Sequence, residues 1–140
     1  MMLEKLKAQF GDAIESAEEA GRELRVQVAP RSLVQVARAA KDEGFAYLAD
    51  ITAMDTNDAL RVVYRLISFA TGRHLVASAL APRAGGRLPS LTAVFRGAEW
   101  PEREVYDMFG VRFDGHPDMR RILLTDDWEG YPLLKTWQAP

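Results

Sequence analysis

The sequence predicts an α+β domain: a two-layer sandwich with an antiparallel or mixed four-stranded sheet, helices on one face and an extended C-terminal tail. Three observations lead there. Apolar residues switch between helical spacing and strict alternation over the first 110 positions. The elements so marked run helix, strand, helix, strand, strand, strand, helix, helix, an order that a sheet covered on one face packs economically. After Gly110 there is no further long periodic element, only short apolar pairs between turn residues. The division is therefore an α+β domain over 1–110 and an extended partner-binding tail over 111–140.

Leu3, Leu6, Phe10, Ile14 and Ala17 recur at spacings of three and four, which predicts an amphipathic helix over about the first sixteen residues, with Gly11-Asp12 as a possible break. Leu24, Val26 and Val28 alternate with polar neighbours and predict a half-buried strand over 23–29. Pro30-Arg31-Ser32 opens a second helix with Ser32 as N-cap, Leu33, Val36, Ala37 and Ala40 on one face and Gly44 past its end. The apolar run 45–54 predicts a central strand, and the polar tetrad 55–58 a turn. Alternation over 60–71, a short polar break at Gly72-Arg73 and a further run over 74–80 predict a hairpin. After a basic, flexible loop at 83–87, Pro89-Ser90 is expected to open a helix through Leu91, Val94 and Phe95, stopping at Gly97. Trp100-Pro101 begins the last helix, with Glu102 and Glu104 in its first turn, where carboxylates favour the helix dipole, and Gly110 just past its end.

Composition narrows the function. A chain of 140 residues, 48% hydrophobic and 27% charged, matches globular averages and is long enough to bury a core. Its formal charge of −2 argues against a general nucleic-acid binder. The lack of cysteine removes disulfides, zinc–thiolate sites and cysteine-ligated iron–sulfur clusters. No run approaches the length of a membrane span, and the charged, helix-periodic N-terminus does not read as a signal peptide. No Walker-type lysine loop, dinucleotide fingerprint or nucleophile triad is present.

The stretch from Trp100 to Trp137 carries most of the chemistry-bearing residues. Glu102, Tyr106 and Phe109 share one side of the last helix, and Arg103 and Asp107 are spaced as an i, i+4 ion pair. The plain reading is a surface helix with one internal pair; the functional reading is a pair of carboxylates for acid–base work, which needs a converging site. His116, flanked by Asp114 and Asp118 in a Gly/Pro turn, is a candidate metal ligand but reads better as a hydrogen-bonding residue. Arg120-Arg121 and Asp126-Asp127 read as solvated charge unless they meet a partner. Trp100, Trp128, Tyr131 and Trp137 lie among these charges, and aromatics mixed with arginines in an aperiodic segment are enriched at protein interfaces.

Glu102-Arg103-Glu104, Tyr106-Asp107-Met108-Phe109-Gly110, Gly115-His116-Pro117-Asp118 and Arg120-Arg121-Ile122-Leu123 together form a pattern of fixed positions over some thirty residues. That pattern resembles the signature of the C subunit of NADH–quinone oxidoreductase, the thirty-kilodalton subunit of respiratory complex I. Asp126-Asp127-Trp128-Glu129-Gly130 and Pro132-Leu133 continue the likeness. Tyr131 stands where the family commonly has histidine, and Leu134-Lys135-Thr136-Trp137 replaces a more basic run.

The resemblance implies a non-catalytic peripheral-arm subunit, with NADH, FMN, iron–sulfur clusters and quinone bound by other subunits and no cofactor or metal in this chain. It implies docking on the large D subunit and neighbouring peripheral-arm subunits, at the cytoplasmic face of the inner membrane and without a transmembrane segment. Glu102, Arg103, Glu104, Asp107, His116, Arg120, Arg121 and Trp128 are then expected to hold the tail's shape and its partner contact. The equivalent subunit of a membrane-bound nickel–iron hydrogenase-type complex is the alternative within this resemblance. A stand-alone acid–base or metal enzyme using Glu102, Asp107 and His116 is the alternative outside it.

Overall fold

The computed structural model describes residues 2–139. Helix α1 (Met2–Phe10) leads into strands β1 (Ile14–Ala20) and β2 (Glu23–Val28), helix α2 (Leu33–Asp42) and strands β3 (Tyr47–Asp55), β4 (Leu60–Ser68) and β5 (Arg73–Ala81). Short strand β6 (Arg87–Pro89), helix α3 (Glu99–Phe109) and short strand β7 (Arg112–Asp114) complete the fold. The main sheet runs β1-β2-β5-β4-β3, parallel between β2 and β5 and antiparallel elsewhere. The α+β class with a mixed sheet is as the sequence predicts, but the sheet has five strands rather than four.

The extra strand is β1, where a helix over the first sixteen residues is predicted. The helix stops at Phe10 because Gly11 takes φ +56, a left-handed conformation that favours glycine. Ile14 and Ala17 are three residues apart, as on a helix face. They share the inner face of a strand because the β1–β2 register shifts between Ile14 and Ser16, so that they oppose Val28 and Val26. The bulge mimics the helical period.

Strand β4 shows the cleanest reason for its own existence. Leu60, Val62, Tyr64, Leu66 and Ser68 are buried and the residues between them are half-buried, the period of two that one covered face imposes. Leu33, Val36, Ala37 and Ala40 of α2 pack on that covered face, against Tyr64, Leu66, Leu75 and Ala77. Strand β3, expected in the centre, lies at the sheet's edge with α3 beside it. Ser32 makes no side-chain cap; a single turn of 3-10 helix (Pro30–Ser32) feeds α2 instead.

No α-helix forms over 89–97, and only a 3-10 turn (Arg96–Ala98) stands at its end. Pro89 belongs to β6, which pairs in parallel with β7, and Ser90 N–H donates to Asp114 O at 2.8 Å. Leu91, Val94 and Phe95 are nevertheless buried, delivered to the core by turns. Helix α3 starts at Glu99, with Pro101 in its first turn, and ends at Gly110, whose φ of +82 closes it. A division of the chain at 110/111 leaves Val111 and Phe113 on the tail side, yet both side chains are buried with the core. Beyond Gly115 the tail has no helix or strand among the described residues and crosses the domain surface.

Candidate functional site

Helix α3 presents three buried charged side chains, Glu102, Arg103 and Asp107. Charged groups are rarely buried without partners, so the partners define the site. Arg103 and Asp107 do not pair with each other as their spacing suggests. Both reach out of the helix to the backbone of the tail.

Asp107 is the centre. Its Oδ2 accepts the backbone N–H groups of Ile122, Leu123 and Leu124 at 3.2, 2.7 and 2.9 Å, and its Oδ1 accepts Arg121 Nη1–H at 2.7 Å. Burial alone would raise this carboxyl. The Arg121 guanidinium and the three amides outweigh it and hold Asp107 below the ordinary aspartate range. Arg121 also donates to the Asp107 carbonyl at 2.9 Å and the Gly130 carbonyl at 2.8 Å, and lies over the Tyr131 ring at 5.0 Å. One turn earlier, Arg103 donates to the carbonyls of Arg120 and Arg121 at 3.1 and 2.8 Å. Carboxylate meets amides, guanidinium meets carbonyls, and residues 120–124 are thereby fixed by their main-chain groups and by the Arg121 side chain.

His116 is closed on both sides: Nδ1 accepts Asp118 N–H at 2.9 Å, which leaves Nε2–H to donate to the Glu99 carbonyl at 2.7 Å. It ties the turn after β7 to the start of α3. Glu102 points the other way, into the domain, where Ser90 Oγ–H reaches Oε1 at 2.6 Å and Leu91 N–H reaches Oε2 at 2.7 Å. Burial pushes its carboxyl up to about 7 against these two donors. Glu102, Asp107 and His116 are thus each enclosed by separate partners and do not converge. Among the described residues no group of three or more His, Asp or Glu side chains is placed to hold a metal.

Further along, Leu133 N–H donates to the Met108 carbonyl at 3.0 Å and Lys135 N–H to Asp55 Oδ2 at 2.9 Å. Asp55 also pairs with Arg83 and accepts Asn57 N–H at 2.9 Å. Burial would raise this carboxyl, but the Lys135 and Asn57 amides and Arg83 hold it low. Sequence reading placed Asp55 in a polar turn and missed this anchor; its partner is eighty residues away, and no local pattern reports such a pairing. Tyr131, singled out from sequence as an interface-type aromatic, packs instead on the chain's own helix end. Its ring packs so closely over Gly110 that a Cβ there would sit 2.8 Å from it.

The outward side of the same region is different. Glu104 and Arg120 are exposed, and Arg120 binds Asp118 with both Nε contacts at 2.9 Å. Trp128 stacks on Trp137 with centroids 6.2 Å apart. Trp100, Leu123, Trp128 and Leu133 stand out as exposed large apolar side chains, beside the exposed Asp126, Asp127 and Glu129. Of the eight residues singled out from sequence, Glu102, Arg103, Asp107, His116 and Arg121 therefore face inwards, and Glu104, Arg120 and Trp128 face outwards.

Residues 26–140 match the model of a protein family described as respiratory-chain NADH dehydrogenase, 30 Kd subunit. The chain is 39% identical to the C subunit of the NADH-quinone oxidoreductase of Roseiflexus sp. strain RS-1 over 140 residues, covering 96% of this chain and 80% of that one. It is 38% identical to the C subunit of the same name from Salinispora tropica over 142 residues, covering 96% of this chain but 58% of that longer relative. Among solved structures it is similar to a trypsin-resistant fragment of Nqo5, with TM-score 0.72 and 30% identity over 84% of this chain and 99% of the fragment. It is also similar to a chain of the membrane-bound sulfane sulfur reductase, an archaeal respiratory membrane complex, with TM-score 0.85 and 27% identity over 98% of this chain and 84% of that one.

Proposed function

The chain belongs to the respiratory-chain NADH dehydrogenase 30 Kd subunit family, and on that footing we propose that it is a non-catalytic peripheral-arm subunit of a proton-translocating NADH:quinone oxidoreductase. In this reading the tail docks on the large D subunit, at the cytoplasmic face of the membrane, and NADH, FMN, iron–sulfur clusters and quinone are held by other subunits. No helix among the described residues is long and apolar enough to cross a membrane, and in this reading attachment runs through the complex. The observation that carries the reading is the two-sidedness of the tail. Its backbone is spent on Arg103, Asp107 and Arg121, while Leu123, Trp128, Leu133 and Arg120 are left facing outwards. A rigid segment that presents large apolar and charged groups suits a partner surface, because little ordering entropy remains to be lost on binding.

A tagged chain pulled from detergent-solubilised membranes is expected to bring down iron–sulfur subunits and NADH:quinone reductase activity. Recovery of neither would sink the reading. The likeness to the sulfane sulfur reductase chain supports a second reading, the equivalent subunit of a related respiratory membrane complex such as a hydrogenase-type assembly; the same pull-down would then yield that complex and no NADH oxidation.

A further inference from the structure

Glu102 is fully buried, and the groups bound to it are neutral: a serine hydroxyl and a backbone amide. Ser90 Oγ is in turn 2.8 Å from Thr92 Oγ1 and accepts Thr92 N–H at 3.1 Å, and Thr92 is only half-buried. On β4, Tyr64 is buried with no hydrogen-bond partner for its hydroxyl. Its ionisation is suppressed first by burial and then by the Glu102 charge.

We propose that Glu102, Ser90 and Thr92 form a proton-exchange site, in which the buried carboxyl releases and recovers its proton through two hydroxyls that lead to solvent. The hydrogen-bond count works in both states. With Glu102 neutral, Oε1–H donates to Ser90 Oγ and Ser90 Oγ–H donates to Thr92 Oγ1. When the proton leaves, both bonds reverse: Thr92 Oγ1–H donates to Ser90 Oγ, Ser90 Oγ–H donates to Oε1, and one proton departs from Thr92 to water. Leu91 N–H stays on Oε2 and Thr92 N–H on Ser90 Oγ throughout.

Five charged side chains on the elements around it are engaged elsewhere. Arg103 and Asp107 of α3 are bound to the tail, Asp55 of β3 to Arg83 and two amides, and Asp114 of β7 to Arg87. Lys41 of α2 donates to the Val94 carbonyl. With burial raising Glu102 from 4.5 to about 7, the folded chain holds more protons than the unfolded chain between those values. Stability therefore falls as pH rises through that window and levels off above it.

The test is an infrared pH titration of the purified full chain, read at the carbonyl stretch of protonated carboxylic acids and paired with Tm against pH. The expected result is a band that vanishes with a midpoint near 7 and is missing in Glu102→Gln, which also flattens the Tm slope. Ser90→Ala removes a donor to the carboxylate and shifts the midpoint up by about half a pH unit or more. Should Glu102→Gln fail to fold, Ser90→Ala decides: losing a donor to the carboxylate must raise the midpoint. A wild-type chain with no protonated carboxyl at about pH 6, well above the ordinary carboxylate range, or a midpoint that Ser90→Ala leaves in place, would overturn the proposal.

Discussion

Glu102 and Asp107 sit on the same eleven-residue helix, both fully buried, and are held in opposite ways. Glu102 receives two neutral donors, and burial wins: its carboxyl rises to about 7. Asp107 receives an arginine and three amides, and the donors win: its carboxyl falls. The difference lies in what each carboxyl holds. Glu102 fastens the connection at Ser90-Leu91 to the helix, within a region already closed by β6 and β7. Asp107 fastens a segment with no helix or strand of its own, which needs a full charge to be ordered against its conformational entropy. A neutral-leaning carboxyl suffices inside a fold; a committed anion is required to hold a tail on it.

The largest expected effect follows from removing that anion. Asp107→Asn keeps the shape but leaves Arg121 without its charge partner and weakens three amide contacts. We expect a loss of about 3 kcal/mol in denaturant unfolding, with faster hydrogen exchange at the amides of 122–124. The pH signs also separate the two carboxyls. The Asp107 contribution is complete above the ordinary aspartate value of 3.8 and is lost as pH falls through its depressed folded value. The Glu102 contribution is lost in the opposite direction. A variant that unfolds normally while its 122–124 amides remain protected would show that the tail does not depend on the charge.

The contrast also explains what was legible in the sequence. Strands β2, β4 and β5, helix α2 and the end of α3 at Gly110 were readable because one covered face writes a period into the chain, and a left-handed glycine marks a stop. Strand β1 was hidden because its bulge put Ile14 and Ala17 on one face at helical spacing. The expected helix over 89–97 was lost because Ser90 and Leu91 are claimed by Glu102 and β7, a tertiary demand no local propensity records. Among the site residues, the types and positions were visible but the pairings were not. Arg103 and Asp107 satisfy the i, i+4 rule and ignore it, because the tail offers each a buried set of main-chain partners that a surface pair cannot match.

A smaller effect is expected from Arg121→Lys, which keeps the charge beside Asp107 but loses the fork that also reaches the Gly130 carbonyl and covers Tyr131. We expect a loss of about 1–2 kcal/mol, well below that of Asp107→Asn, with Tyr131 more open to solvent by fluorescence or hydrogen exchange. Equal losses in the two variants would mean that the fork, rather than the anion, orders the tail.

The smallest effect on the chain itself belongs to its neighbour. Arg120 is expected from sequence to be solvated unless it meets a partner. Its side chain is 65% exposed and is bound to Asp118, two residues away. What anchors position 120 is its carbonyl, gripped by Arg103, and alanine retains that carbonyl. Arg120→Ala should therefore change stability by no more than about 0.5 kcal/mol, and the 122–124 amides should stay as protected as before. If the outward side of the tail is the docking surface, the same substitution lowers recovery of the chain with the complex in the pull-down, because a guanidinium that is solvated here is desolvated and paired there. Unchanged recovery would move the docking contact away from Arg120, towards the exposed Leu123, Trp128 and Leu133. A large loss of stability in the isolated chain would instead mean that the inner and outer sides of the tail are not separable.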